Sequence, residues 1–286
     1  MDSQDLDIAY PPEDSYNSSW DKVWEWLSNQ NHLIIPSDPD SKVIQWDNDT
    51  IFLESKGQVQ EYLLVNNVIN FTDNSLETDV FKSMQRNEFA YWKSRTTKQL
   101  YSKYDYHIKM NLVHTLKKDG YEITDPFRAF STVIDVGCGV DGFGECFQAS
   151  IFRIGVDTLA HKYTELKPVI PSFPKIACYA EKLPFKDEAF ELAISTNALD
   201  HGMSWKHSLI ELVRCTRVKG YVFITMDCKS ENELDETHQI PVDSEEVYQT
   251  IIELPIRLDY LQFGPKRNCD KRIIFFGRKV MEDNKI

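Results

Sequence analysis

Two sets of residues in this 286-residue chain have types and spacing suited to chemistry. The first is the run Thr132-Val133-Ile134-Asp135-Val136-Gly137-Cys138-Gly139-Val140-Asp141-Gly142-Phe143-Gly144. An apolar stretch enters a glycine-rich turn, and a helical pattern follows. Glycine lets backbone approach a ligand closely, and a helix start offers free N–H groups. A side chain at Gly137 would occupy that approach. The spacing Gly137-x-Gly139-x-x-Gly142, with Asp157 twenty residues after Gly137, also fits a dinucleotide fingerprint. The glycines therefore specify a nucleotide-like ligand at the first strand-to-helix crossover and leave its identity open. The second set is Asn197, Asp200 and His201, with His238 further on. An alcohol is almost wholly protonated at neutral pH, and an imidazole, with an ordinary pKa near ~6.5, is suited to take its proton. His201 is the candidate base. Asp200 is a candidate to orient its ring, His238 or Asn197 is the alternative neighbour, and His238 is the alternative base.

Asp135 narrows the ligand. It ends the strand two residues before Gly137, where an acid would oppose a pyrophosphate but suits a ligand bearing an ammonium and a sulfonium. A further run is Ala180-Glu181-Lys182-Leu183-Pro184-Phe185, followed by Asp187, Phe190-Glu191-Leu192 and the segment Asn197-Ala198-Leu199-Asp200-His201. Together with Arg217-Val218-Lys219-Gly220-Tyr221, these segments resemble the class I S-adenosylmethionine-dependent methyltransferases over about residues 130–280. The resemblance implies S-adenosyl-L-methionine as cofactor. It implies that Asp135, Gly137 and Gly139 line its methionine end, and that Asp157 accepts hydrogen bonds from its ribose hydroxyls. Ala180 and Glu181 would lie beside the adenine, and Asn197 near the reactive methyl. Asp141 stands where the family has a third glycine, and Tyr179 where many members have an adenine-facing Asp. Those departures keep open a non-catalytic binding or scaffold protein on the same fold. An NAD(P)-dependent oxidoreductase is the other alternative.

Ala198-Leu199-Asp200-His201 and Thr237-His238-Gln239, with the aromatic-rich Glu88-Phe89-Ala90-Tyr91-Trp92, resemble a methyltransferase subgroup associated with glycan and polysaccharide biosynthesis. That resemblance implies O-methylation of a sugar or other polar small-molecule hydroxyl. The segments around Leu33-Ile34-Ile35-Pro36 and 62–71 resemble zinc-ribbon-like modules that precede some methyltransferases, without the metal cysteines, so no zinc is expected there and no metal site is assigned in the chain.

The elements that must position these residues follow from periodicity. Residues 1–17 read as a flexible acidic tail and 18–78 as a small β-rich lobe, with a short helix at 19–29 and strands at 42–46, 50–53, 62–65 and 68–69. Residues 79–125 are a helical connector, helical through 79–119. From 126 to 286 strands alternate with helices, which implies an α/β domain with a Rossmann-like, seven-stranded, mostly parallel sheet covered by helices on both faces. Its strands are expected at 132–136, 153–157, 176–179, 190–196, 220–226, 256–263 and 272–280, the last antiparallel by the family resemblance. Its helices are expected at 143–150, 159–167, 205–217 and 243–253. Residues 1–80 hold 16 Asp/Glu against 3 Lys/Arg, while 81–286 balance, so the lobe is acidic and no concentrated basic surface suits nucleic acid. The six cysteines form no CxxC pair and read as reduced thiols, which points to the cytoplasm. No run is long and apolar enough to span a membrane. The expected partner is a small-molecule or glycan acceptor.

Overall fold

The alternation of β-branched and aromatic residues at 42–70 produces four strands, β1 (Lys42–Asp47), β2 (Thr50–Ser55), β3 (Gln58–Val65) and β4 (Val68–Asn70), paired antiparallel in sequence. This computed structural model describes residues 23–27, 32–47, 50–66, 68–94, 130–140, 152–166, 173–266 and 269–281. The expected tail at 1–17, the helix at 143–150 and the connector beyond residue 94 lie outside the described residues. The connector's first part is the helix α1 (Asp79–Lys93), which starts where the Thr78 hydroxyl accepts the Phe81 N–H.

The C-terminal part then runs β5 (Thr132–Val136), β6 (Phe152–Val156), α2 (Ala160–Tyr163), β7 (Lys175–Ala177), β8 (Phe190–Thr196), α3 (Trp205–Cys215), β9 (Thr216–Cys228), α4 (Ser244–Glu253), β10 (Ile256–Lys266) and β11 (Cys269–Lys279). The order is β7-β6-β5-β8-β9-β11-β10. The strands from β7 to β9 pair in parallel, and β11 is antiparallel to both β9 and β10, as expected for the strand near 272–280. Residues 133–136 of β5 and 153–156 of β6 are all buried, so both faces of the sheet are covered there. The helix expected at 159–167 is shorter, and the one at 205–217 ends at Cys215 because the chain passes straight into β9 at Thr216.

One expectation needs correction. Among the described residues the sheet has eleven strands and not seven, because β4 adds in parallel to β7, with Val68 opposite Lys175, Ile69 opposite Ile176 and Asn70 opposite Ala177. The physical reason is edge protection. Without β4, the unpaired N–H and C=O groups of β7 would form an open edge. The hydrophobic core accordingly runs from Ile51, Leu53 and Ile69 through Ile176, Val156 and Ile134. Among the described residues the free cysteines Cys138, Cys178, Cys215 and Cys228 are buried, and burial pushes the Cys215 thiol up to about 12. No helix of the described residues is long and apolar enough to cross a membrane.

A shared sheet and core predict shared unfolding. Ile69 is fully buried, and Ile69→Ala is expected to cost about 2–5 kcal/mol and to lower the melting of the whole molecule in one calorimetric transition. An early, separate transition that leaves the main melting unmoved would contradict the continuous sheet.

Candidate active site

The ends of β5, β6 and β8 meet at two turns. At the first, Gly137 and Gly139 have φ of +72° and +58°, left-handed values that a side chain disfavours. The N–H groups of Gly137 and Cys138 both donate to Val156 O, at 2.7 and 3.1 Å, which folds the turn back over the end of β6. Asp157, the next residue, receives the Gly139 N–H on Oδ2 at 2.9 Å and the Leu159 N–H on Oδ1 at 2.8 Å. Burial raises its carboxyl pKa, partly offset by those two backbone donors. From the opposite side the buried Lys175 donates Nζ–H to Gly139 O at 3.0 Å. Asp135 is buried near the end of β5, two residues before Gly137.

The second turn follows β8. Asn197 adopts φ +54°, donates its N–H to Thr225 O at 2.7 Å, and accepts a side-chain hydrogen bond from Arg272, which also donates to Asp227 at 2.7 Å. The two turns touch. A Cβ added at Gly137 would lie 2.0 Å from Ala198 Cβ. The lack of a side chain at Gly137 is thus required by protein packing at least as much as by any ligand's approach. After Ala198 a single 3-10 turn (Leu199–His201) delivers Asp200 and His201.

The structure brings together all three residues expected to do proton chemistry. The His201 and His238 rings lie 4.2 Å apart between centroids. Asp200 Oδ2 lies 3.1 Å from His238 Nε2 and 3.9 Å from His201 Nε2. Asp200 is 3% exposed. Neither of its carboxylate oxygens, nor His201 Nδ1 or His238 Nε2, has an aligned hydrogen-bond partner, so the contacts within the cluster are ionic approaches. His238 reaches it from the loop at 229–242, which folds on Asp235. That carboxylate accepts the N–H of Thr237 and of His238, each at 2.9 Å, pairs with His238 Nδ1 at 2.9 Å, and bonds the Lys229 ammonium. Burial would raise the Asp235 pKa, but Lys229 and His238 hold it well below the carboxylate range. Burial lowers the His238 pKa, and the Asp200 and Asp235 carboxylates more than reverse this. Burial raises Asp200, and the two imidazoles bring it below its ordinary value.

Helix α1 lies over the glycine turn and reaches His201. Trp92 lies over Gly139, whose added Cβ would meet the ring at 3.1 Å. Trp92 Nε1 donates to Glu88 Oε1 at 2.7 Å, and Glu88 Oε2 faces His201 Nδ1 at 3.7 Å. Asn87 on the same helix donates to Glu236 O at 2.8 Å, tying α1 to the loop that carries His238. Glu88, Lys175, Lys229, Asp235 and Arg272 were not assigned from the sequence. Only Glu88 had a legible signal, its spacing of four from Trp92 on one helix face. The Glu181 carboxylate accepts the Ser204 N–H at 2.8 Å, and the Tyr179 hydroxyl donates to Asp73 O at 2.8 Å and Glu77 Oε1 at 3.0 Å, so both act on neighbouring segments. Ala180 lies between them, half-buried. Asp141 and Gly142 lie outside the described residues.

Residues 134–224 match the family profile described as a methyltransferase domain. No curated protein matches the chain. Among solved structures, the chain is similar to the N-methyltransferase NodS from Bradyrhizobium japonicum WM9 in complex with S-adenosyl-L-homocysteine, at 12% identity and TM-score 0.50, covering 71% of this chain and 100% of that one. It is also similar to the Burkholderia thailandensis 1,6-didemethyltoxoflavin-N1-methyltransferase with bound 1,6-didemethyltoxoflavin and S-adenosylhomocysteine, at 12% identity and TM-score 0.49, covering 84% and 99%. The likeness to NodS shows a methyltransferase-like α/β fold, and residues 134–224 carry the match to the methyltransferase-domain profile.

The contact between the turns can be tested without any ligand. Gly137→Ala places a methyl against Ala198 at a positive φ and is expected to destabilise the protein by about 1–3 kcal/mol. Adding Ala198→Gly should restore part of the loss in thermal melts. A Gly137→Ala protein as stable as the parent would show that the turns do not touch.

Proposed function

We propose that the chain binds S-adenosyl-L-methionine at the Gly137–Gly139 turn and transfers its methyl group to a hydroxyl of a sugar or similar polar small molecule. The observation that carries this reading is the meeting of Asp200, His201 and His238, from two distant segments, beside the glycine turn. The residues around that turn fit the cofactor. The backbone at Gly137 and Gly139 is bare of side chains. Among the described residues each oxygen of Asp157 takes one backbone N–H and keeps acceptor capacity for the two hydroxyls of a ribose. The buried Asp135 supplies negative charge on the side where the ammonium and sulfonium belong.

When bound, the cofactor supplies a methyl group already activated by its sulfonium. The chain must do the rest. It must hold the acceptor oxygen in line, exclude water and handle the proton that the hydroxyl loses. Trp92 and Glu88 on α1 and the loop at 229–242 close over the site and keep water out. The imidazole of His201, with its Nδ1 buried and facing Glu88, is the assigned proton acceptor, and Asp200 and His238 set the charge around it.

Calorimetry with S-adenosylmethionine is expected to show one binding event. Asp157→Ala should weaken it by about 1–3 kcal/mol, the cost of charged hydrogen bonds left unmade. Because burial raises the Asp157 pKa, affinity should hold at neutral pH and begin to fall, on acidification, above the ordinary Asp value of about 3.9. A chain that gives no binding heat would instead be a scaffold on this fold.

The acceptor half needs turnover measurements against sugars, nucleotide sugars and phenols. On the true acceptor, His201→Ala should cut turnover by about 10²–10⁴-fold with cofactor affinity unchanged. Full turnover in that variant would remove His201 from the chemistry.

A further inference from the structure

The Asp200–His201–His238 cluster has the composition and the second layer of a metal site. We propose that it binds one divalent transition cation of the zinc or cobalt type through one Asp200 oxygen and one nitrogen of each imidazole. The inference rests on the reading of this cluster as the acceptor side of the methyltransferase site, and it names what the cluster carries.

Four observations support it. One ligand atom from each residue can be chosen so that all three lie within 4.8 Å of one another. The 3.1 Å edge between Asp200 Oδ2 and His238 Nε2 is what two ligands at about 2.1 Å from one ion make when they meet at roughly right angles. Both Asp200 oxygens, His238 Nε2 and His201 Nδ1 are buried without an aligned hydrogen-bond partner among the described residues. Buried polar atoms that converge without hydrogen-bonding leave a place for a shared electrophile.

The second observation is the layer behind His238. Its Nδ1 lies 2.9 Å from Asp235 Oδ1, 3.0 Å from Thr237 Oγ1 and 3.2 Å from Lys229 Nζ. With the ring proton on Nδ1 and donated to Asp235, the Nε2 lone pair faces Asp200. A carboxylate behind a histidine is the usual support of a metal-bound imidazole, since it sets the tautomer and raises basicity. Glu88 lies more loosely behind His201, its carboxylate 3.7 Å from Nδ1 without a hydrogen bond, and is itself held by Trp92.

The third is charge. Among the described residues, the groups in contact with the cluster bring the carboxylates of Asp200, Asp235 and Glu88 against the ammonium of Lys229. Neutral imidazoles leave that set with a formal charge of −2, which a divalent cation balances. The fourth is ligand type. Two imidazoles with one carboxylate favour zinc, cobalt or iron over magnesium or calcium, which prefer all-oxygen sites. Three protein ligands leave further coordination positions open, and an oxygen-bearing acceptor can fill one of them. In the loaded protein His201 is then a ligand. Loss of turnover in His201→Ala is common to a base and to a ligand, so only metal binding separates the two.

The test uses the full chain, stripped with chelator and dialysed against Zn²⁺, Co²⁺ or Mg²⁺ in separate arms, with S-adenosylmethionine calorimetry run in parallel. The inference expects one equivalent of Zn²⁺ or Co²⁺ to be retained, a visible Co²⁺ absorption band, and no retention of Mg²⁺. His238→Gln and Asp200→Asn should each abolish the band. Asp235→Asn should weaken cation binding by about 10–100-fold, as expected of a supporting carboxylate. Melting curves of each variant, taken without metal, check that it is folded. If His238→Gln is unfolded, His201→Gln takes its place. A chain that binds S-adenosylmethionine but retains no cation overturns the inference and leaves the proposed function standing. Retention that persists in the folded ligand variants overturns it too, because the cation is then held elsewhere. Cation binding without cofactor binding upholds the site and overturns the methyltransferase reading.

Discussion

The architecture of the site depends on one close approach, that of the turn after β5 to the turn after β8. Gly137 has no side chain, so Ala198 can sit where its Cβ would otherwise be. Both turns use positive φ, at Gly137, Gly139 and Asn197. Each is fastened to a neighbouring strand end, Gly137 and Cys138 to Val156 and Asn197 to Thr225. Central strands buried on both faces form a rigid base, and the backbone conformations that cost most are placed at its rim. From that contact the chain needs one short turn to reach Asp200 and His201.

The second layer of organisation comes from outside the matched domain segment. Helix α1 lays Trp92 over Gly139 and points Glu88 at His201. The loop at 229–242 uses Asp235 both as a turn-forming acceptor and as the partner of His238. These pieces meet at the Asn87–Glu236 hydrogen bond. The fold supplies the glycine turn, but α1 and this loop supply the cover. Under the proposed function, acceptor selection would belong to them, since a fold alone does not specify a substrate.

Much of this was legible in the sequence, and the reason is locality. A glycine turn after an apolar strand, an acid at the strand end and a histidine soon after a strand are short-range signals. The strands at 132–136 and 190–196 match their expected limits for the same reason. What could not be read depends on pairing across distance. The match of β4 to β7 joins segments over a hundred residues apart, and nothing near Val68 announces Lys175 as its neighbour. Lysine is seldom buried, yet Lys175 is buried with its ammonium on Gly139 O. Lys229 and Asp235 are ordinary loop residues until His238 is placed between them and Asp200. The meeting of Asp200, His201 and His238 required the register of β8 and β9 and the path of the loop beyond.

The central claim is that the glycine turn and the Asp200–His201–His238 cluster serve one site. A crystal structure of the full chain with S-adenosylhomocysteine tests it most directly. The account predicts the ligand across the Gly137–Gly139 turn, its ribose on Asp157 and its sulfur end turned toward the cluster under Trp92. A ligand seated elsewhere, such as the cleft of about 440 Å³ lined by Lys82, Arg86 and His161, or one turned with its sulfur away from the cluster, would contradict it.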